Sequence, residues 1–386
     1  MKGMPVSALI LALGPVVLAQ GPPVVKWRGA LWGSAAASNR QAPAGALFLR
    51  GMDAGEGQLA LDGLLLGADV TLAEGWAFKA TVLGGQAAKV LAAAGGESGS
   101  LTWPEAMLVW TGGRDTIRFG RMYTFMGMEY LDHTQDLTAS RGLLFTYAIP
   151  LDQVGFAWRH AFSPAWSADL WIFNGENRVQ DNNRGKTVGL GLNYNHGGSQ
   201  AKYLSVMAYR GAEQDGFGAA ANSGAEGRMR TRATLLVGWD WGATTLLGEA
   251  DWAQETLPPG TLSGASAGEA VARWSGAGLI LRRALDGRLA LVLRLEAMRD
   301  DQGFVLAGDP AVAGPAAPTP GFPRWALADG AGLRATSAAL GLERKWGPTF
   351  TRAEVRWDGL NREVADQEGR RFRSAISATW SLGTSF

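Results

Sequence analysis

Glu129, Asp132, His133 and Asp136 stand close together and are the residues best placed to do chemistry. Three carboxylates and an imidazole could shuttle protons, hold a cation or set a fixed field. Catalysis would need a nucleophile oriented by a base and a third group. The three histidines, His133, His160 and His196, are scattered, and no local pattern marks such a set. No metal-type spacing joins any of them to a second ligand. Asp181-Asn182-Asn183-Arg184-Gly185 opens like a calcium loop but lacks its central glycine step and closing glutamate. Gly189-Leu190-Gly191 falls inside a strand pattern, not at a strand-to-helix turn. An enzyme, a metal and a cofactor are therefore not expected, and the electrostatic reading is left.

Fixed charges recur at alternate positions of short segments. In Thr231–Trp241, Ala233, Leu235, Val237, Trp239 and Trp241 lie on one face, with Arg232 and Asp240 on the other. Glu249 and Asp251 oppose Leu246, Ala250 and Trp252; Arg294 and Glu296 oppose Leu289, Leu291, Leu293 and Leu295. Arg352, Glu354, Arg356 and Asp358 oppose Val355 and Trp357. A period of two means β-strands with two unlike faces. Charges on one face and bulky apolar groups on the other suit a wall with water inside and lipid outside. Arg230 and Arg373 join the inward set by the same alternation.

About sixteen such segments run from 24–33 to 370–386. Short turns, such as Gly112-Gly113-Arg114, Asp286-Gly287 and Gly347-Pro348, alternate with long connections such as 91–103, 212–228 and 300–331. The last, rich in Ala, Pro and Gly, reads as irregular. Segment 76–90 reads as one strand. Residues 139–161 read as one strand bent at Pro150, which keeps every long loop on one side and the count even. The expected fold is all-β: a transmembrane antiparallel up-and-down barrel of about sixteen strands, too wide for side chains to fill. Trp76, Trp103, Trp166, Trp241, Trp252, Trp346 and Trp357 fall toward strand ends, as aromatic girdles do.

The termini fit. Met1-Lys2, an apolar run to Leu18 and Val17-Leu18-Ala19 make residues 1–19 a cleavable signal peptide and 20–386 the barrel. The chain has no cysteine, so its stability after export must come from elsewhere, and a closed hydrogen-bonded barrel supplies it. Net charge +1 argues against a nucleic-acid partner. Phe372 to Phe386 holds the alternation to an aromatic last residue. That strand resembles the C-terminal signature of bacterial outer-membrane barrels, which implies that Phe386 is the signal read by the barrel-insertion machinery.

Between 105 and 194 several runs occur in order: Gly120 to Glu129 (GRMYTFMGME), Ser140–Phe145 (SRGLLF), Pro150–Gly155 (PLDQVG), Phe173–Gly175 (FNG) and Asp181–Lys186 (DNNRGK). They resemble the OmpL-like outer-membrane beta-barrel porins, with Met122 replacing the usual Phe. The resemblance implies a water-filled channel in outer-membrane lipid that passes small hydrophilic solutes, and homotrimers are common among general porins. It also implies that the third outer loop folds inward. Glu129, Asp132, His133 and Asp136 would then face wall arginines such as Arg230, Arg232, Arg294, Arg352, Arg356 and Arg373 across a constriction. Two alternatives stand: a barrel sheathing a partner protein, as in electron conduits, and an outer-membrane enzyme.

Overall fold

The computed structural model describes residues 22–40, 47–53, 55–94, 99–198, 202–217, 224–258, 270–306, 332–365 and 368–386. Residues 1–19, expected to be a signal peptide, and most of 300–331, expected to be irregular, lie outside the described residues. Sixteen strands follow in chain order. They are β1 (Val24–Ser38), β2 (Leu59–Ala73), β3 (Trp76–Gly84), β4 (Leu101–Gly112), β5 (Asp115–Tyr123), β6 (Asp152–Ala161), β7 (Trp166–Phe173) and β8 (Thr187–Asn195). β9 (Tyr203–Ala212), β10 (Met229–Trp241), β11 (Thr244–Leu257), β12 (Ala270–Ala284), β13 (Leu289–Asp300), β14 (Leu333–Trp346), β15 (Thr349–Ala365) and β16 (Arg371–Ser385) complete them. Each pairs antiparallel with its sequence neighbour, and β1 pairs with β16, closing the barrel.

Closure removes every unpaired edge, the condition for placing strands in lipid. At the seam Phe386 N–H donates to Gly29 C=O at 2.9 Å, and Gly29 N–H donates to Phe386 C=O at 3.0 Å. The Phe386 ring lies where a side chain at residue 29 would stand, so any larger residue there would push the ring aside. Outward positions such as Leu235, Leu291, Leu295, Val355, Trp357, Ile376, Trp380 and Leu382 are exposed, while their strand neighbours are buried. Trp76, Trp166, Trp241 and Trp346 all sit at short-turn ends of their strands and make one girdle.

Three expectations are corrected. Residues 139–161 are not one bent strand, because β6 starts only at Asp152. Pro150 has no N–H for a ladder, and the backbone before it is taken up by side chains of the opposite wall. The count of sixteen survives because the extra length belongs to a loop. Segment 76–90 also splits. β3 stops at Gly84, Gly85 turns with φ +94, and Gln86–Ala94 forms a helix, α1. Its Ala-rich run of strong helix formers outweighs the apolar alternation. Finally, Arg373 is exposed and lies 3.8 Å from Glu363, while Phe372 is buried against Phe48. The β15–β16 register slips between Gly359 and Val364, which flips the faces above Ser374. Arg373 therefore leaves the lumen wall.

Candidate functional site: the third loop and the lumen

The chain between β5 and β6 is the third long connection, and it enters the barrel. Thr124 N–H donates to Leu151 C=O at 2.9 Å, so the loop leaves and returns at one point. Inside, its main chain is the ligand of wall side chains. Met128 N–H donates to Glu249 on β11 at 2.7 Å. Leu143 and Leu144 N–H donate to the two oxygens of Glu296 on β13, at 3.0 and 3.1 Å. Ala139 N–H donates to Glu354 on β15 at 3.2 Å. In the other sense, Arg294 donates to Ser140 C=O at 2.5 Å and Arg352 to His133 C=O at 3.0 Å. Arg356 reaches the carbonyl of Arg141, and Arg232 that of Ala148.

The order of residues in the motifs becomes legible here. Gly127 adopts φ +100, a turn only glycine makes without strain. Ser140 Oγ accepts from Arg294 at 2.9 Å and donates to Glu354. Arg141 bonds Asp136 and the carbonyls of Tyr130 and Leu131, with its guanidinium 4.6 Å from the Phe145 ring centre. A Cβ on Gly142 would collide with both Glu129 and Glu296. A π-helical turn, Leu144–Ala148, then packs its apolar side chains into the lumen.

These contacts decide what the four loop residues face. Glu129 pairs with Arg294 at 3.0 Å, and their side chains are 1% and 0% exposed. Glu129 also accepts from Thr138 Oγ at 3.1 Å and Gly142 N–H at 2.8 Å. His133 Nδ1 lies 2.8 Å from Asp136, which also pairs with Arg141. So Glu129, His133 and Asp136 touch their partners and do not oppose them across an open gap. Asp132 alone of the four is partly exposed, and it caps the short helical turn His133–Gln135. Thr134 N–H, Thr134 Oγ and Gln135 Nε2 all donate to it, at 3.1, 2.7 and 3.0 Å.

The remaining wall residues divide in the same way. Arg356 bonds Asp358 at 2.9 Å, both buried. Arg230 bonds Glu255 and Glu176, and Arg232 bonds Glu176 at 2.8 Å, making a second buried cluster. Burial and the Glu176 charge push Glu213, which lies beside this cluster just past β9, up to about 7. Asp251 accepts from Thr234 Oγ at 2.6 Å, and Asp240 stays partly exposed near the short-turn mouth.

Sequence reasoning passed over the wet charges. Arg28 on β1, Lys79 on β3, Arg118 on β5, Arg159 on β6, Arg282 on β12 and Lys345 on β14 point inward and keep partial exposure. The same alternation marks them, as in Thr116-Ile117-Arg118-Phe119. Alternation separates inside from outside, and cannot tell a wet interior position from one a loop covers.

A family model described as "Putative beta-barrel porin-2, OmpL-like" matches residues 49–386. No curated protein sequence matches. Among solved structures, the outer membrane channel DcaP of Acinetobacter baumannii superposes with a TM-score of 0.59 at 11% identity, covering 95% of this chain and 99% of that one. OmpT of Vibrio cholerae in its trimer form gives 0.56 at 11% identity, covering 95% and 100%. The anion-selective porin from Comamonas acidovorans gives 0.55 at 12% identity, covering 95% and 100%. At these identities the likeness is one of fold, and the family match carries the assignment. The chain belongs to the OmpL-like beta-barrel porin-2 family and is an outer-membrane porin.

Proposed function

We propose that this porin passes small hydrophilic solutes by passive diffusion through a lumen that its own third loop narrows. The observation that carries the reading is the loop bound by its backbone to β10, β11, β13 and β15. Such a loop reduces the cross-section, and in this reading it leaves a passage beside it that the partly exposed inward charges line. Passive diffusion needs no catalytic group. A sheath for a partner protein fits poorly, because the loop occupies the space such a partner would thread. In this reading Glu129, His133 and Asp136 hold the constriction in shape, and Asp132 faces the opening.

The proposal includes export through the segment 1–19, insertion by the barrel-assembly machinery through the Phe386 strand, and a homotrimer in outer-membrane lipid. The trimer is supported by the trimer form of the fold relative OmpT. An apolar groove on the outer wall, lined by Ala35, Leu340, Ala353, Ala378 and Trp380, offers a subunit a close approach. Purified protein in planar bilayers tests the channel: steady ohmic steps are expected. A folded barrel that carries no current would overturn it.

A further inference from the structure

We propose that the short-turn mouth of the lumen is an anion-selecting ring, built by Arg28, Lys79, Arg118, Arg159, Arg282 and Lys345. This rests on the channel reading above. Each of the six lies within five residues of the short-turn end of its strand, and together they are spread round the barrel from β1 to β14. Short turns mark the periplasmic rim of such barrels.

The polarity comes from how the ion pairs are oriented. Arg159 is 37% exposed and its partner Asp169 2%. Arg28 is 34% exposed and Glu105 9%. Lys345 is 44% exposed, Arg282 21%, and the Glu343 they share 0%. In each pair the carboxylate lies behind the cation, fixing it without presenting its own charge to water. Arg118 has no carboxylate within ion-pair distance among the described residues, and its guanidinium sits 5.9 Å from the Phe125 ring centre. Asp69, between Arg28 and Lys79 at 3.4 and 3.5 Å, is the exception, and Asp240 is the other partly wet carboxylate that faces inward; Asp115, also at this rim, bonds the outward-facing Trp158. Six wet cations against two wet carboxylates on the inward faces of the strands give the inside of the mouth a positive potential, although the whole chain carries only +1. On the loop side Asp132 accepts from three neutral donors and keeps its negative charge, a partly exposed carboxylate of the third loop and not of the short-turn mouth. A ring of fixed cations in a narrow water-filled opening concentrates anions and repels cations. The solutes favoured are small inorganic anions and molecules bearing carboxylate or phosphate groups.

The test is the reversal potential of the full chain in planar bilayers across a KCl gradient. Wild type is expected to prefer chloride. Arg118→Gln with Lys345→Gln should cut the chloride-to-potassium permeability ratio by roughly fivefold, since each removed charge acts on an ion a few ångströms away through water. Raising bath salt from 0.1 M to 1 M should also shrink the preference, because screening then acts within about 3 Å. Arg299→Gln, at the opposite end and facing outward, serves as the control and should leave the ratio unchanged. If the double variant fails to fold, Arg118→Gln alone is read, with a smaller drop in the same direction. A conducting wild type that prefers potassium, or folded variants with an unchanged ratio, would overturn the ring while leaving the channel intact. Absence of conductance would overturn the channel reading itself.

Discussion

Two arginines on inward faces, Arg294 and Arg159, show how differently one residue type is used on the two sides of this lumen. Arg294 is fully buried, bonded to Glu129 at 3.0 Å, to Thr138 Oγ at 3.0 Å and to the backbone of Ser140. Arg159 holds Asp169 at 2.7 and 3.0 Å and still shows its outer surface to water. The first has become part of the protein's interior. A charge taken from water must be fully paired, and losing one partner strands the rest. The second is anchored but stays in solvent, where its field acts on what passes. Inward direction therefore does not make a residue functional; what covers it decides.

Arg294→Met should break the comparison most severely. It leaves Glu129, Glu296 and Glu354 facing one another without their shared cation, at a cost of about 3–5 kcal/mol. The melting temperature should fall and single-channel conductance should rise as the loop loosens. A variant with wild-type stability and conductance would show that Arg294 is not the centre of the fastening.

The pH response is the next largest. Glu213 is half-buried, and its folded-state pKa of about 7 stands above the ordinary carboxylate value near 4.3. Its stabilising contribution is full below that ordinary value and is lost as pH rises through 7. The barrel should therefore be more stable at pH 5 than at pH 8, by at most ~3 kcal/mol. Glu213→Gln should flatten that dependence in melts recorded across this range; superimposable wild-type and variant profiles would refute the assignment.

Glu296→Gln keeps the shape of the side chain but replaces a carboxylate that accepts two loop N–H groups with a neutral amide. A loss of about 1–3 kcal/mol is expected, read as faster hydrogen exchange at Leu143 and Leu144. Unchanged protection at those two amides would mean the loop is held elsewhere. Smallest of all, Arg299→Gln removes an exposed pair with Asp301 and should change stability by less than about 1 kcal/mol. A larger loss would mean that exposed charges matter here as much as buried ones.

What sequence alone conveyed follows from the range of each signal. Strand period is local, so β10, β11, β13 and β15 were legible residue by residue, inward charges included. The strand count holds although only Asp152–Ala161 of the segment 139–161 is strand, because loop length does not alter parity. The path of that loop is set by Glu249, Glu296 and Glu354, 121 to 215 positions away. Nothing in the spacing around Ser140 announces them. Arg373 was misplaced because a register slip changes the phase without changing the residues. The ring at the mouth was missed because its cations lie one to a strand, where each looks ordinary.

The third loop is written early in the chain, but its fastenings come late. β10 to β15 follow it, so the loop has nothing to bind until those strands are in place. Contacts across such separations carry a large loop-closure entropy, which the ion pairs and backbone hydrogen bonds to the loop must offset. The width of the lumen is thus a property of distant parts of the chain: the loop that narrows it holds its shape only against strands that are themselves correctly placed.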